Sequence, residues 1–167
     1  MSGVSINLFD QLSPALQRAI EAVGDLSKPM SDISGDWIEA TRSRFNQQID
    51  PMGVPWAPRK DSNNSKPLLV AEGELRNQLQ TEFGPDYAEV GVEDTGGPSE
   101  YAAIHNFGGV VRPKKAKALR TPFGVFAQIV IPKRQFIGAS DADQANAVQI
   151  LSDHLKFAFN GNAGGEP

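Results

Sequence analysis

The sequence predicts a single α+β domain in which an antiparallel sheet packs against an N-terminal helical hairpin and a C-terminal helix. Apolar residues recur at helical spacing near both ends of the chain. Between them, two short segments alternate apolar and polar residues on either side of a glycine–proline turn, which is typical of an antiparallel hairpin. At 167 residues the chain is long enough to bury about 70% of its unfolded surface in one domain. We therefore treat residues 1–167 as one domain, with flexible ends expected at residues 1–6 and 160–167.

The N-terminal part predicts two helices that form a hairpin. Ser13-Pro14 is a favourable helix start, since serine caps the first turn and proline suits the first helical position. A second, longer helix begins at Ser27-Lys28-Pro29. Its apolar stripe consists of Met30, Ile33, Trp37, Thr41 and Phe45. Its polar flank, which we expect to face solvent, consists of Asp36, Glu39, Arg42 and Arg44.

The middle of the chain predicts an ordered turn followed by a β-hairpin. Residues 50–58 contain three prolines and a glycine, which exclude a helix or a central strand, and Trp56 is expected to anchor this turn. Residues 59–66 are polar and aperiodic, so we expect a mobile loop there. A short helix interrupted near Gly73 then leads into two strands. The strands lie at residues 79–83 and 87–92, with a turn at Gly84-Pro85-Asp86 between them.

Residues 101–109 combine apolar residues with paired glycines and are predicted to lie at the centre of the core. Four apolar residues recur at spacings of three and four, so a short helical turn would bury them on one face. These are Tyr101, Ala103, Ile104 and Phe107. Gly108-Gly109 would then let the chain leave in a new direction. His105 has no second histidine at ligand spacing, and we interpret it as a structural or interface residue.

Residues 111–128 are predicted to form a projecting basic loop or hairpin, which we call the arm. Five cations lie within nine residues with no acid among them, and Pro113, Pro122 and Gly124 make the arm a poor core element. A solvated loop is the alternative interpretation, whereas Phe123, Val125 and Phe126 would allow docking on a neighbouring subunit. The residues expected at an interface are Arg112, Lys114, Lys115, Lys117, Arg120, Phe123, Phe126 and Arg134.

A strand at residues 128–131 and a C-terminal helix complete the predicted fold. Arg134 follows that strand, where its guanidinium could pair with a carboxylate, cap carbonyl groups inside the fold or contact a neighbour. Ser140, with acids just after it, is expected to cap the last helix. The apolar stripe of that helix consists of Val148, Leu151, Leu155 and Phe159.

Composition and motifs argue against several classes of function. The net charge of -4 and the pI of about 5.2 disfavour a general nucleic-acid binder, although the arm remains a local basic patch. No apolar stretch is long enough to span a membrane, and the chain has no cysteine, which fits assembly in a reducing cytoplasm. No G-x-S-x-G elbow and no phosphate-binding glycine motif occurs. We therefore expect no enzymatic activity, no cofactor and no metal site.

Four stretches together resemble one known family. They are residues 44–56 (RFNQQIDPMGVPW), 73–76 (GELR), 101–109 (YAAIHNFGG) and 131–138 (IPKRQFIG). The chain resembles the phage virion morphogenesis, or tail-completion, proteins of Mu-like tailed bacteriophages. That family has an R-x-x-F-x-x-Q-x-D-P-x-G-x-x-W pattern, a T-G-x-L turn, a Y-A-x-x-H-x-F-G segment, an A-R-P-F-L-G segment and a last helix. The motif residues here are Phe45, Asp50, Pro51, Gly53, Trp56, Tyr101, His105, Phe107, Gly108, Phe136 and Gly138.

The resemblance implies a structural protein of the phage neck that completes the tail and joins it to the DNA-filled head. It implies a homo-oligomeric ring, often sixfold, that contacts the tail terminator, tail tube or head connector proteins around the DNA channel. Ring contacts require complementary patches on one subunit, such as a basic arm meeting an acidic helix face. The alternative is a DNA-contacting accessory protein, which steep salt dependence of DNA binding would favour. A hydrolase, the third possibility, would require an activity that depends on His105.

Overall fold

A computed structural model describes residues 24–59, 66–70, 74–93, 98–114, 116–121 and 124–159. The helices are α1 (Ser27–Gln47), α2 (Glu74–Asn77), α3 (Pro98–Phe107) and α4 (Asp141–Phe159). The strands are β1 (Leu79–Phe83), β2 (Ala88–Val92), β3 (Gly109–Val111), β4 (Leu119–Thr121), β5 (Gly124–Phe126) and β6 (Ile129–Ile131). The α+β class is confirmed. The predicted helix that begins at Ser13, the two ends predicted to be flexible, and most of the loop predicted at residues 59–66 lie outside the described residues.

Helix α1 is the long element on which the strands β1 and β2 and the C-terminal helix α4 pack. Its predicted apolar stripe is confirmed, since Met30, Ile33, Thr41 and Phe45 are buried and Trp37 is half-buried. The buried residues form two clusters, one around Phe45 and one around Ile33. The helix ends at Gln48, whose φ of 59° is left-handed and turns the chain into the proline-rich segment.

The predicted hairpin is present as strands β1 and β2. They pair antiparallel from Leu79 opposite Val92 to Phe83 opposite Ala88, and the Gly84 N–H donates to the Tyr87 carbonyl at 2.9 Å to close the turn. Because side chains alternate between the two faces of a strand, Leu79, Val90 and Val92 face the buried cluster while Gln80 and Glu82 face away from it. We call this second surface the outer face of the β1–β2 hairpin.

Two nested antiparallel pairs form the arm and the base from which it extends. Strands β3 and β6 pair at its base, with Val110 opposite Val130, and strands β4 and β5 pair further out, with Arg120 opposite Val125. The hydroxyl of Thr121 donates to the Gly124 carbonyl at 3.2 Å beside the turn of the outer pair. The described strands therefore form three two-stranded antiparallel sheets, and the predicted hairpin form of the arm is the one adopted.

The predicted buried face of α3 is wrong. Tyr101, Ala103 and Phe107 lie on the exposed side of the helix, and 59% of Phe107 is accessible to solvent. Ala102 and Asn106 face the interior instead. Asn106 faces the interior because its side chain makes buried hydrogen bonds, which the spacing of apolar residues does not predict. The centre of the core therefore lies at Phe45 and its neighbours and not at residues 101–109.

Helix α4 begins with the predicted cap. The Ser140 hydroxyl accepts from the Asp143 N–H at 3.1 Å, and the Asp143 carboxylate accepts from the Ser140 N–H at 2.7 Å, which is a reciprocal capping box. Leu151 of the predicted stripe is buried beside Ala147, but Val148 is half exposed, because α1 covers only one side of α4. Val148 therefore lies at the edge of the apolar stripe, outside the contact with α1.

Candidate interaction surface

Two of the motif stretches from the sequence, residues 44–56 and 131–138, meet at one cluster of aromatic side chains. Phe45 of α1, Trp56 of the turn and Phe136 are all buried, and Phe45 lies 5.5 Å from Trp56 and 5.0 Å from Phe136 between ring centroids. The Trp56 indole N–H donates to the Gln135 carbonyl at 2.8 Å, so this polar atom is also satisfied. We call these three residues the aromatic cluster.

The proline-rich turn is held by Asp50 and by the polar atoms of Gln48. The Asp50 carboxylate accepts from the Met52 and Val54 N–H groups, both at 2.8 Å, while Gly53 has the left-handed φ of 79° that the turn requires. The Gln48 side chain accepts from the Leu68 N–H at 2.5 Å and donates to the Leu68 carbonyl at 3.2 Å. The turn and residues 66–70 are thus fastened to the end of α1.

Asn106 fastens α3 to the last motif stretch. Its side-chain oxygen is fully buried and accepts from the N–H groups of Phe136 and Ile137, each at 3.0 Å. Gly108, two residues later, has a φ of 73°, and a Cβ there would lie 2.9 Å from the Lys133 backbone nitrogen. The base of the arm therefore leaves the body at a rigid point, since α3 and residues 133–137 are bonded directly to each other.

Arg44 connects α1 to the start of α4. Its guanidinium donates to the Gly138 carbonyl at 2.6 Å and to the Phe136 carbonyl at 3.3 Å, and it forms a salt bridge with Asp143. Both side chains are largely buried, with 7% and 14% of their surface exposed. The prediction that Arg44 faces solvent is therefore wrong, because three distant acceptors compensate its burial.

Arg134 lies inside the subunit and not on its surface. It is 8% exposed, and its guanidinium donates to the carbonyl groups of Ala57 at 2.8 Å and Pro58 at 3.1 Å. Of the alternatives from the sequence, the structure selects carbonyl capping within the fold. We therefore correct the prediction of Arg134 as an interface residue: its side chain is used within the subunit.

His105 is half-buried and packs edge-on against Tyr101, with ring centroids 5.9 Å apart. Its backbone carbonyl accepts from the Arg134 N–H at 2.8 Å. Burial, and then the positive charge of Arg134, lower the pKa of His105 below its ordinary value of 6.5, which favours the neutral imidazole. The location fits a packing role for the histidine, although its suggested interface role stays a prediction.

The arm carries the other predicted interface residues that the structure describes. Arg112, Lys114, Lys117 and Arg120 are exposed and form no ion pair with any described acid, while Lys115 and Phe123 lie outside the described residues. Val125 is 66% exposed and Phe126 is 40% exposed. At the base, Val110 and Val130 lie directly opposite each other and are 41% and 51% exposed. The arm is therefore a cationic ribbon with apolar side chains open to solvent.

Three polar residues of the body were missed by the sequence reasoning about sites. Arg44 joins α1 and Asn106 joins α3 to residues 136–138, and Gln48 joins the end of α1 to Leu68. A signal existed for each, since all three fall within stretches that carry the family resemblance. Their backbone partners, however, are specified by the tertiary fold and not by side-chain periodicity.

No group of three or more histidine, aspartate or glutamate side chains in the described ranges is arranged to hold a metal ion. None of the helices described is long and apolar enough to cross a bilayer.

Comparison with known proteins agrees with the resemblance found in the sequence. The model of the phage virion morphogenesis family matches residues 8–156. A putative capsid assembly protein G of Escherichia phage Mu is 27% identical over 123 residues, which cover 65% of this chain and 76% of that protein. No solved structure matches the chain. Because the family match spans most of the sequence, the chain belongs to the phage virion morphogenesis family.

Proposed function

We propose that this protein is a non-catalytic structural component of the phage neck, which completes the tail and joins it to the DNA-filled head as part of an oligomeric ring. Membership of the virion morphogenesis family establishes a role in virion assembly. The similar Mu protein is named as a capsid assembly protein, which fits a role at the head end of the tail. The proposal places the protein in the virion, after assembly in the host cytoplasm.

The observation that carries the proposal is the arm. Its cations have no described acidic partner within the subunit, and Val125 and Phe126 expose apolar surface beside them. A ribbon of two strands has a marginal stability of its own, so contact with a partner would contribute to its order. The hydrogen bonds of Asn106 and the close approach of Gly108 to the Lys133 backbone hold its base, so the arm can present these side chains in a defined direction.

The proposed partners are further copies of the chain, in a ring that we expect to be sixfold, together with tail terminator, tail tube or head connector proteins. DNA in the channel is the competing partner, because the same exposed cations could bind phosphate groups. The exposed cations of the arm are the reason to consider this second function, and DNA binding by the isolated protein would test it. Binding that weakens steeply with salt would support it, while absence of binding at low salt would leave protein partners.

Charge reversal in the arm tests the neck role. Phage carrying Lys114→Glu with Lys117→Glu should accumulate unjoined heads and tails, since exposed lysines contribute to complementarity between surfaces more than to subunit stability. The purified variant should unfold within about 1 kcal/mol of the unmodified protein. Electron microscopy of lysates and the infectious titre would measure the effect.

The matched control is Lys28→Glu with Lys156→Glu, which changes the net charge equally at two exposed lysines on α1 and α4. This control should join heads to tails normally. Normal titre from the arm variant, or an equal defect in the control, would contradict the proposed role of the arm.

A further inference from the structure

The outer face of the β1–β2 hairpin is acidic and uncompensated. In the strand register Glu82 lies directly opposite Glu89, so two carboxylates meet on the same face. Asp86 is in the turn and Glu93 follows β2, where its carboxylate accepts from the Gln80 amide at 2.7 Å. None of these four acids forms a salt bridge with a cation among the described residues. A facing pair of like charges disfavours the isolated hairpin and is relieved when a cation approaches.

Tyr87 lies among the acidic side chains of this outer face. Its hydroxyl donates to the Glu82 carboxylate at 3.2 Å. Burial, that hydrogen bond and the charges of Glu82, Glu89 and Asp86 together raise the pKa of Tyr87. The tyrosine donates a hydrogen bond to one carboxylate but supplies no positive charge, so the hairpin stays acidic.

Most acids on the two long helices, in contrast, have a cationic partner within the subunit. On α1, Asp32 pairs with Lys28 and Glu39 pairs with Arg42, each at 2.5 Å. Asp36 accepts from the Asn146 amide at 2.6 Å. On α4, Asp153 pairs with Lys156 at 3.2 Å and Asp143 pairs with Arg44. Four of the six acids on these two helices therefore pair with a cation and only Asp36 and Asp141 do not, which makes the helix faces poorer acceptors for a basic arm than the hairpin.

The described chain thus has two unmatched surfaces of opposite sign. The arm contributes Arg112, Lys114, Lys117 and Arg120, and the hairpin contributes Glu82, Asp86, Glu89 and Glu93. No described salt bridge joins them within the subunit. Two different patches that complement each other on one chain give a head-to-tail contact, and such contacts form a ring when the rotation between successive copies closes.

We infer that the arm of one copy docks on the outer face of the β1–β2 hairpin of the next copy. This inference rests on the proposed ring and names the surface that receives the arm. Arg120 lies beside Val125 on one face of the β4–β5 pair, so a cation and an apolar side chain would reach the hairpin together. Opposite charges would orient the encounter, and apolar contact would exclude water from it.

Cross-linking between differently marked copies tests this contact. The chain has no cysteine, so single thiols can be introduced without background. One copy would carry Val125→Cys on the arm and the other Gln80→Cys on the hairpin, and neither change removes a charge. A short bis-maleimide added to the mixture, both as purified protein and in cells assembling virions, should give a covalent dimer containing one copy of each kind.

Controls separate a specific contact from random collision. Pairing Val125→Cys with Val148→Cys, which is half exposed on α4, should give at least tenfold less dimer. Glu82→Lys with Glu89→Lys should abolish the dimer, and adding Lys117→Glu with Arg120→Glu to the arm copy should restore it. Restoration would show that the two charged surfaces meet, which a folding defect in either variant could not produce.

The inference is overturned if the Val125 and Gln80 thiols form no more dimer than the α4 control, both in purified protein and in assembling cells. That outcome would leave the neck role intact, because the arm could still bind a different protein. Conversely, a specific dimer from a chain that proved dispensable for head–tail joining would support the contact and contradict the neck role.

Discussion

Replacing Arg44 with methionine should lower the free energy of unfolding by about 3–5 kcal/mol, because the buried carboxylate of Asp143 would lose its charged partner. The carbonyl groups of Phe136 and Gly138 would also lose a donor. Urea unfolding at a single protein concentration would measure the loss, since self-association changes the apparent stability.

Two variants make the Arg44 measurement specific. Arg42→Met, two residues earlier on α1, breaks a pair that is half exposed, so we expect a loss of less than about 1 kcal/mol. Asp143→Asn added to Arg44→Met should recover part of the stability, because it removes the unpaired buried charge. Equal losses for Arg44→Met and Arg42→Met would contradict a connecting role for Arg44.

Trp56→Ala should destabilise the protein by about 3–5 kcal/mol, because it empties a buried site against Phe45 and removes the donor to the Gln135 carbonyl. Trp56→Phe keeps an aromatic ring but not the N–H. The free energy of unfolding of this variant should therefore fall between those of the unmodified protein and Trp56→Ala. The same unfolding assay measures both.

Met52→Ala provides the control for the turn. This side chain is 63% exposed in the same segment, and its truncation should change stability by no more than about 0.5 kcal/mol. If Trp56→Ala left the midpoint of urea unfolding unchanged, the indole would not be what holds the turn to the body.

Local patterns in the sequence predicted the elements whose geometry is decided locally. The alternation of Leu79 to Val92 around Gly84 specified the β1–β2 hairpin, and Ser140 specified the start of α4 through its own hydroxyl. The arm was also predictable, because clustered cations and turn residues are unsuited to a core. In each case the residues that decide the structure are neighbours along the chain.

Long-range polar contacts could not be predicted in the same way. Arg44 looks like one more solvated cation on a helix flank until Gly138 and Asp143, more than ninety residues away, are placed beside it. Asn106 rotates α3 so that Tyr101 and Phe107 face outward, because satisfying two buried N–H groups outweighs burying those rings. Periodicity counts apolar side chains and therefore selected the opposite face of this short helix.

The surface that receives the arm could also be identified only from the three-dimensional structure. From the sequence, an acidic helix face was the proposed complement of the arm. The structure pairs Asp32 and Glu39 with cations on their own helix and brings Glu82 and Glu89 together across two strands. Strand register, which aligns residues from different segments, makes the hairpin the stronger candidate.

A reconstruction of the neck of intact virions tests the central claim most directly. The account predicts a ring of copies of this chain between the head connector and the tail tube, with the arm of each copy extending from its body onto a neighbour. A neck whose density is fully explained by other proteins, with this chain located elsewhere in the particle or absent from it, would contradict the proposed function.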